Sequence, residues 1–183
     1  MALTYSNQLK LGKKAPNFYL RNSIDGKKYN LNELKGIKGT AIFFICNHCP
    51  YVIHINEELV MLANDYKNKG INCIAISSND IDKYPQDSPE LMRKIANKLN
   101  YPFAYLYDET QEVAKAYNAT CTPDLFLFDA DLKAVYQGRL DDSSPGNGKE
   151  VSGKDFRNAI EALLIGDVVE KQLPSMGCNI KWK

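Results

Sequence analysis

Two hydrophobic patterns alternate along the chain and predict different elements. Residues 17–34 alternate polar and apolar positions about Asp25-Gly26, a dipeptide suited to a tight turn, which predicts a β-hairpin. Residues 40–46 form a continuous apolar run, which is typical of a strand covered on both faces. Directly afterwards, apolar residues recur every three or four positions up to about Gly70. This spacing predicts a helix with one buried face.

The pattern continues into the second half of the chain. Residues 71–78 form another buried run, so the preceding helix is predicted to connect two parallel strands. After a polar loop at residues 79–87, Ser88-Pro89-Glu90 marks the start of a helix. The other predicted elements are a strand at 103–107, a helix ending near Tyr117, a hairpin of 125–128 with 132–140, and a helix beginning near Ser152.

These elements predict an α/β fold in which helices flank a mixed central β-sheet that carries an N-terminal β-hairpin extension. The chain has 183 residues, close to the size of one domain, and contains no repeat, linker or low-complexity segment. We therefore expect a single domain over residues 1–183. Residues 167–183 show no clear period and are expected to form a tail that packs on this domain.

The charge balance excludes several classes of partner. Lysine and arginine total 23 and aspartate and glutamate total 22, a net charge of +1. Such a surface has no overall field to attract nucleic acid or an anionic membrane, and neither is expected as a partner. The longest apolar run is far shorter than the ~18–20 residues of a membrane-spanning helix. The first residues lack the features of a secretory signal, so a cytoplasmic location is expected unless a leader was removed.

The candidate chemistry lies in five cysteines, namely Cys46, Cys49, Cys73, Cys121 and Cys178. Their odd number and irregular spacing argue against a disulfide scaffold. Cys46 and Cys49 form a C-x-x-C motif where the first buried strand passes into the helix. In a strand-helix-strand unit this motif is typical of a redox centre. Cys73 falls within a predicted strand and is interpreted as a core residue.

The start of a helix favours thiolates, because its unpaired N–H groups and the helix dipole attract negative charge. A cysteine has an ordinary pKa of ~8.5, and such a position lowers it. Cys46, which we expect to be the more exposed sulfur, is predicted to attack a disulfide, and Cys49 to resolve the mixed disulfide. Two alternatives stay open: two structural cysteines, or a metal site that also uses His48 and His54.

Several longer motifs accompany this pair. Residues 12–34 contain GKKAPNFYL and DGKKYNLNEL, and CNHCPYVIHI, TPDLFLFD, YQGRLDD and GCNIKWK follow in that order. Together they resemble the thioredoxin-fold redoxins of the alkyl hydroperoxide reductase/thiol-specific antioxidant family, in particular a peroxiredoxin-like subgroup with a CxxC motif. The resemblance implies a thioredoxin-like fold in which Pro123 is a cis-proline facing the CxxC pair. It also implies that the backbone of Thr122 pairs with a substrate peptide, so Thr122 and Pro123 are candidate substrate-binding residues.

The chain departs from the thioredoxin pattern in two places. Ile45 stands where thioredoxins have a tryptophan, and Thr40 stands where they have an acid. The usual docking indole and proton-shuttling carboxylate are therefore missing at these positions. His48, directly before Cys49, resembles the arrangement in protein disulfide isomerases, where an imidazole stabilises the first thiolate. His48 is therefore a candidate catalytic residue beside Cys46 and Cys49.

The predicted function is a thiol–disulfide oxidoreductase that uses Cys46 and Cys49, without cofactor or metal, on protein or low-molecular-weight thiol partners. One alternative is a peroxiredoxin-like peroxidase that reduces hydroperoxides with Cys49 as peroxidatic cysteine. Against it, Ile42 and Cys46 replace the proline and threonine of the peroxidase motif. The arginine that usually stabilises the transition state is also missing, and Arg139 could replace it only if the fold brings it close. Another alternative is a non-enzymatic metal-carrying or binding module of the same fold.

Cys121 and Cys178 are candidate auxiliary thiols. Cys121 lies two residues before Pro123 and therefore close to the predicted redox turn, whereas Cys178 lies in the tail. One hypothesis is that they form a second thiol pair or a relay to the CxxC disulfide. The alternative is that they are two independent small apolar side chains.

Overall fold

The computed structural model describes residues 3–8 and 10–183, which form ten strands and five α-helices. The strands are β1 (Leu3–Tyr5), β2 (Tyr19–Asn22), β3 (Lys28–Asn30), β4 (Gly39–Phe44), β5 (Ile71–Ser77), β6 (Ala104–Tyr107), β7 (Cys121–Thr122), β8 (Asp124–Asp129), β9 (Ala134–Gly138) and β10 (Met176–Asn179). The helices are α1 (Leu31–Leu34), α2 (Pro50–Lys67), α3 (Pro89–Lys98), α4 (Glu112–Tyr117) and α5 (Lys154–Leu164), and a 3₁₀ turn, Pro85–Asp87, precedes α3. No helix in this part of the chain is long and apolar enough to cross a bilayer.

The main sheet is mixed, with strand order β3-β2-β6-β5-β4-β8-β9. At its centre β4, β5 and β6 are parallel, and β2 and β8 pair antiparallel with β6 and β4. The hairpins β2-β3 and β8-β9 form the two edges. The predicted α/β fold, with a mixed sheet and an N-terminal hairpin, is confirmed.

Burial of β4 on both faces positions the residues that follow it. All 6 of its residues are buried. Helices α2, α3 and α5 contribute to the core that contains Phe43, and α1 and α4 contribute to the core that contains Phe44. Two-sided burial explains why this strand reads as a continuous apolar run.

Helix α2 begins shortly after β4 and has the predicted amphipathic spacing. Pro50 lies in its first turn, where the missing N–H is not needed, and Cys49 is the N-cap residue. Its buried apolar residues include Val52, Ile55, Leu59 and Leu62. The helix ends at Lys67, and Gly70, with φ of +89°, turns the chain into β5.

A second, three-stranded sheet has the order β1-β10-β7, and β10 contacts α2. The pairing is antiparallel and places Cys178 opposite Thr122. The sequence did not predict β10, because Met176-Gly177-Cys178-Asn179 is short, has no alternating pattern and includes a glycine. This strand is specified by its neighbours, and it attaches the tail to the rest of the protein.

Candidate active site

Cys46 and Cys49 lie in the turn between β4 and α2, where the sequence predicted them. The strand ends at Phe44 and the helix begins at Pro50. Cys49 is the N-cap residue, so its sulfur is near the positive end of the helix dipole. Both residues are thiols. The turn therefore holds two reduced sulfurs at the start of a helix.

The two sulfurs are less accessible than expected. Cys46 is 2 % exposed and Cys49 is 0 % exposed. Cys46 was expected to be the more exposed sulfur, but both residues are buried, because β7 and β10 pack against this turn. The sequence pattern did not indicate that packing. A large partner can reach the pair only if this cover moves.

Thr122 contacts both sulfurs from β7. The Thr122–Pro123 peptide bond is cis. The Thr122 Oγ1 lies 3.4 Å from the Cys46 Sγ, and the Cys49 thiol donates to the Thr122 carbonyl at 3.1 Å. The backbone of Thr122 pairs with Cys178. The resemblance implied that this backbone pairs with a substrate peptide. In this structure the chain's own β10 occupies that place.

A hydrogen bond between the two thiols determines how they ionise. The Cys46 thiol donates to the Cys49 sulfur, and this bond lowers the pKa of Cys49 to about 5 against the effect of burial. The same bond, together with burial and the nearby charge of Asp87, raises the pKa of Cys46. When Cys49 carries the proton instead, its thiol donates to the Thr122 carbonyl. The proton shared by the two sulfurs therefore has an acceptor whether it lies on Cys46 or on Cys49. The pair therefore favours one thiolate, and the lowered pKa belongs to Cys49, whereas the sequence analysis gave the attacking role to Cys46.

His48 is held beside Cys46 by a buried carboxylate. Its Nδ1 lies 2.6 Å from the Asp87 Oδ2 and 4.0 Å from the Cys46 Sγ. Asp87 is 0 % exposed and also accepts the backbone N–H groups of Asn47 at 2.8 Å and His48 at 3.3 Å, and the side-chain amide of Asn79 at 2.8 Å. These bonds connect the CxxC turn to the 3₁₀ turn before α3.

The sequence did not identify Asp87 as part of the site. Thr40, which stands where thioredoxins have an acid, is buried and accepts the backbone N–H of Gly36 at 3.2 Å. The carboxylate near the cysteines therefore comes from a different element. Nothing in the local sequence separates Asp87 from Asp80 and Asp82 of the same polar loop, because its role depends on tertiary contacts.

Substitution of Asp87 is expected to change both stability and thiol ionisation. Asp87→Ala removes the acceptor of all these hydrogen bonds and is expected to lower the free energy of unfolding by ~3 kcal/mol or more. Asp87→Asn keeps an acceptor oxygen but removes the charge that raises the pKa of Cys46, so Cys46 is expected to ionise at a lower pH. Urea unfolding and the ultraviolet absorbance of thiolate against pH measure the two effects.

The exposed carboxylate Glu90, which pairs with Lys94 on α3, provides the control. Glu90→Gln removes a charge of the same sign but is expected to leave thiol titration unchanged. If Asp87→Asn also titrates like the unaltered protein, then Asp87 does not act on Cys46 electrostatically.

The two candidate auxiliary thiols have different surroundings. The side chains of Cys178 and Cys49 are hydrogen-bonded to each other. The Cys121 thiol instead donates to the Pro123 carbonyl at 3.5 Å, and burial raises its pKa strongly. Of the two, the structure brings Cys178 into contact with the CxxC pair, which restricts the relay hypothesis to Cys178.

A cleft of about 260 Å³ opens beside Pro123, with Tyr51, His54 and Arg139 among its lining residues. The His54 Nε2 lies 3.2 Å from the Ser143 Oγ. The Arg139 Nε donates to Asp155 at 2.6 Å. Arg139 is therefore paired with an acid, which weakens the case for it as the charge that binds a peroxide.

The ligand set of the predicted metal alternative is not assembled as proposed. Cys46, His48 and Asp87 offer ligand atoms within 4.8 Å of one another, but His54 contacts Ser143 instead. The Nδ1 of His48 is hydrogen-bonded to the Asp87 carboxylate. The Cys46 thiol is hydrogen-bonded to the Cys49 sulfur. These contacts describe a hydrogen-bonded thiol pair with an oriented imidazole beside it.

Comparison with known proteins identifies relatives of this chain. The AhpC/TSA family matches residues 11–137, which include β4, the CxxC turn and the Thr122–Pro123 bond. The chain belongs to the AhpC/TSA family. The chain is 30% identical to the thiol-disulfide oxidoreductase ResA of Bacillus anthracis over 133 residues. The match covers 71% of this chain and 70% of that protein.

Among solved structures, the similarity extends over the whole of this chain. An uncharacterized conserved protein from Geobacillus kaustophilus is 59% identical, with a TM-score of 0.98 over 100% of this chain and 97% of that chain. The thioredoxin domain of a thiol-disulfide oxidoreductase from Bacteroides vulgatus is 21% identical, with a TM-score of 0.66 over 86% of this chain and 99% of that chain, and this likeness shows the fold. The predicted family, the thioredoxin-like fold and the predicted class of enzyme, a thiol–disulfide oxidoreductase, are confirmed.

Proposed function

We propose that Cys46 and Cys49 form the redox centre of this protein and exchange disulfides with protein or low-molecular-weight thiol partners. The observation that carries the proposal is the hydrogen-bonded pair of thiols at the start of α2, both of which contact Thr122. Such a pair holds a thiolate and a second thiol within reach of it, and these are the two groups that disulfide exchange requires.

The proposed reaction begins with proton transfer inside the pair. When the proton of Cys46 moves to Cys49, the Cys49 thiol donates to the Thr122 carbonyl at 3.1 Å and Cys46 becomes the thiolate. The imidazole of His48, whose Nδ1 lies 2.6 Å from the Asp87 Oδ2 and 4.0 Å from the Cys46 Sγ, lies beside this anion. Cys46 is assigned as the attacking sulfur because it lies nearer the end of β4, with the His48 imidazole beside it.

Two displacements complete the transfer of two electrons. The Cys46 thiolate attacks one sulfur of the partner disulfide, a Cys46–partner bond forms, and the other partner sulfur leaves and takes a proton from solvent. Cys49 then loses its proton and attacks the Cys46 sulfur. The Cys46–Cys49 bond forms and the second partner sulfur leaves as a thiol. The partner is reduced, the enzyme pair is oxidised, and the reverse sequence oxidises a dithiol.

We place partner entry at the cleft beside Pro123, because its lining includes Pro123, Tyr51 and Met176, which belong to or adjoin the segments around the two sulfurs. Entry of a protein chain also requires β10 to move from its place against Thr122. The proposed compartment is the reducing cytoplasm, which is supported by the odd number of cysteines and by the absence of any spacing typical of a disulfide scaffold.

The proposal is tested on the unaltered protein. The reduced protein is mixed with insulin or with oxidised glutathione, quenched with acid, and its disulfides are mapped by mass spectrometry. Separation of the insulin chains with formation of a Cys46–Cys49 disulfide is expected. A reduction potential near the cytosolic glutathione poise or below supports a reductase, and a much higher one supports an oxidant. No exchange with either substrate, or a stoichiometric zinc or copper ion in the purified protein, would contradict the proposal.

Peroxide reduction is the second candidate, and the lowered pKa of Cys49, about 5, favours it. A small hydroperoxide could reach a buried thiolate that a protein chain cannot. The step would transfer one peroxide oxygen to the Cys49 sulfur, giving a sulfenic acid and an alcohol or water, and Cys46 would then form the disulfide with loss of water. Hydrogen peroxide consumption and dimedone labelling of Cys49 in Cys46→Ser test this candidate, and absence of both excludes it.

A further inference from the structure

Cys178 is brought to the redox centre by a strand that the fold places there. β10 lies between β1 and β7, and its pairing sets Cys178 opposite Thr122. Thr122 is the residue whose carbonyl accepts the Cys49 thiol at 3.1 Å. The side chain and the backbone N–H of Cys178 both interact with the Cys49 sulfur and lower its pKa. Cys49 is therefore in contact with one thiol from its own turn and one from β10.

Gly177 shows how closely β10 lies against the site. A Cβ atom at this position would overlap the Thr122 carbonyl oxygen and press on the Pro123 ring. Only glycine fits without a shift of the backbone. This close approach holds the neighbouring Cys178 against Cys49, and Cys178 is buried.

We propose that Cys178 is a third redox cysteine, which exchanges with the Cys46–Cys49 disulfide at the sulfur of Cys49. The inference rests on the proposed function, because that disulfide must form first. Cys178 loses its proton and attacks the Cys49 Sγ, so that the Cys49–Cys178 bond forms and the Cys46–Cys49 bond breaks. The electron pair leaves on Cys46, which takes up the proton. The exchange needs no further oxidant or reductant, since one disulfide replaces another.

The exchange has a structural consequence. It returns Cys46 to the thiol form and ties β10 covalently to the start of α2. A reducing thiol partner would then act on a disulfide in the tail strand, instead of on one enclosed in the turn. Cys121 cannot replace Cys178 in this step without rearrangement, because its thiol is directed at the Pro123 carbonyl.

The test follows one glutathione adduct in matched variants of the full chain. A large excess of oxidised glutathione is added to Cys46→Ser to force the slow reaction at Cys49, which forms a mixed disulfide and releases one glutathione. Cys178 is expected to displace the second glutathione and form Cys49–Cys178. The adduct is expected to disappear at least ~10²-fold faster in Cys46→Ser than in Cys46→Ser/Cys178→Ser, because the attacking thiol is already in place. Cys46→Ser/Cys121→Ser is the matched control and is expected to behave like Cys46→Ser.

Disulfide mapping of the unaltered protein during oxidation provides the second measurement, which does not depend on any variant folding. Both Cys46–Cys49 and Cys49–Cys178 peptides are expected. If Cys46–Cys49 forms and Cys49–Cys178 does not, the third-cysteine proposal fails and the proposed function stands. If no Cys46–Cys49 disulfide forms with any substrate, the proposed function fails and this exchange with it. Equal lifetimes of the adduct with and without Cys178 would also overturn the inference.

Discussion

Cys46→Ser and Cys49→Ser are each expected to lower the rate of disulfide reduction by at least ~10³-fold, since each variant removes one of two sulfurs that act as a unit. The two variants are expected to stop at different points. With Cys46 as the attacking sulfur, Cys49→Ser forms a mixed disulfide with the partner and cannot resolve it efficiently. Cys46→Ser lacks the first nucleophile and is expected to retain far less partner. Insulin reduction and mass spectrometry of trapped adducts measure both effects.

The matched control is Cys73→Ser, because Cys73 is a buried thiol on β5 that belongs to the core. Its replacement is expected to leave the mixed-disulfide pattern unchanged. Trapping of the partner by Cys46→Ser instead of Cys49→Ser would reverse the assigned order and make Cys49 the attacking sulfur. Near-normal reduction by both variants would exclude this pair as the redox centre.

The sequence predicted those parts of the site that depend on short-range patterns in the chain. A continuous apolar run predicts β4, helical spacing predicts α2, and Pro50 marks where that helix begins. Two cysteines between such elements lie in the turn whatever surrounds the domain. For this reason the redox turn and the parallel β4-β5 pair could be predicted without tertiary information.

The missed features depend on contacts between distant segments. β10 has no pattern of its own, and it forms because Gly177 and Cys178 fit against Thr122. Asp87 belongs to a polar loop, and it joins the site because the N–H groups of the CxxC turn point at its carboxylate. The same contacts explain why both cysteines are covered, although Cys46 was expected to be the more exposed sulfur. A sequence pattern records the periodicity of each element, and it does not record which loop covers another.

Asp124→Asn is expected to change the pH dependence of stability more than any other single substitution of a carboxylate near the site. Asp124 directly follows Pro123, is 0 % exposed, and accepts the Gln137 amide at 3.2 Å, the Thr120 N–H at 3.4 Å and the Leu125 N–H. Burial raises the pKa of Asp124 to about 8, whereas an unfolded aspartate titrates near ~3.9. The folded protein therefore keeps a proton that the unfolded chain loses.

The sign of the effect follows from this difference. The stabilising contribution of the protonated Asp124 is complete below pH ~4 and is lost progressively as the pH rises towards about 8, by up to ~1.4 kcal/mol per pH unit. An asparagine keeps the shape and does not titrate. The asparagine has one acceptor oxygen fewer, and the effect of this loss on the free energy of unfolding is expected to be the same at every pH. Between pH 5 and pH 8 the stability of Asp124→Asn relative to the unaltered protein is therefore expected to rise by up to ~4 kcal/mol.

Urea unfolding at a series of pH values measures this rise, and Asp141→Asn is its control. Asp141 is also buried, but the Ser143 hydroxyl and the backbone N–H groups of Ser152 and Gly153 lower its pKa in spite of that burial. Its ionised form is already the stable one at pH 5, so Asp141→Asn is expected to show no such gain towards pH 8. If Asp124→Asn and Asp141→Asn had parallel stability profiles, Asp124 would have to be ionised throughout this range, with a compensating partner that its present contacts do not provide.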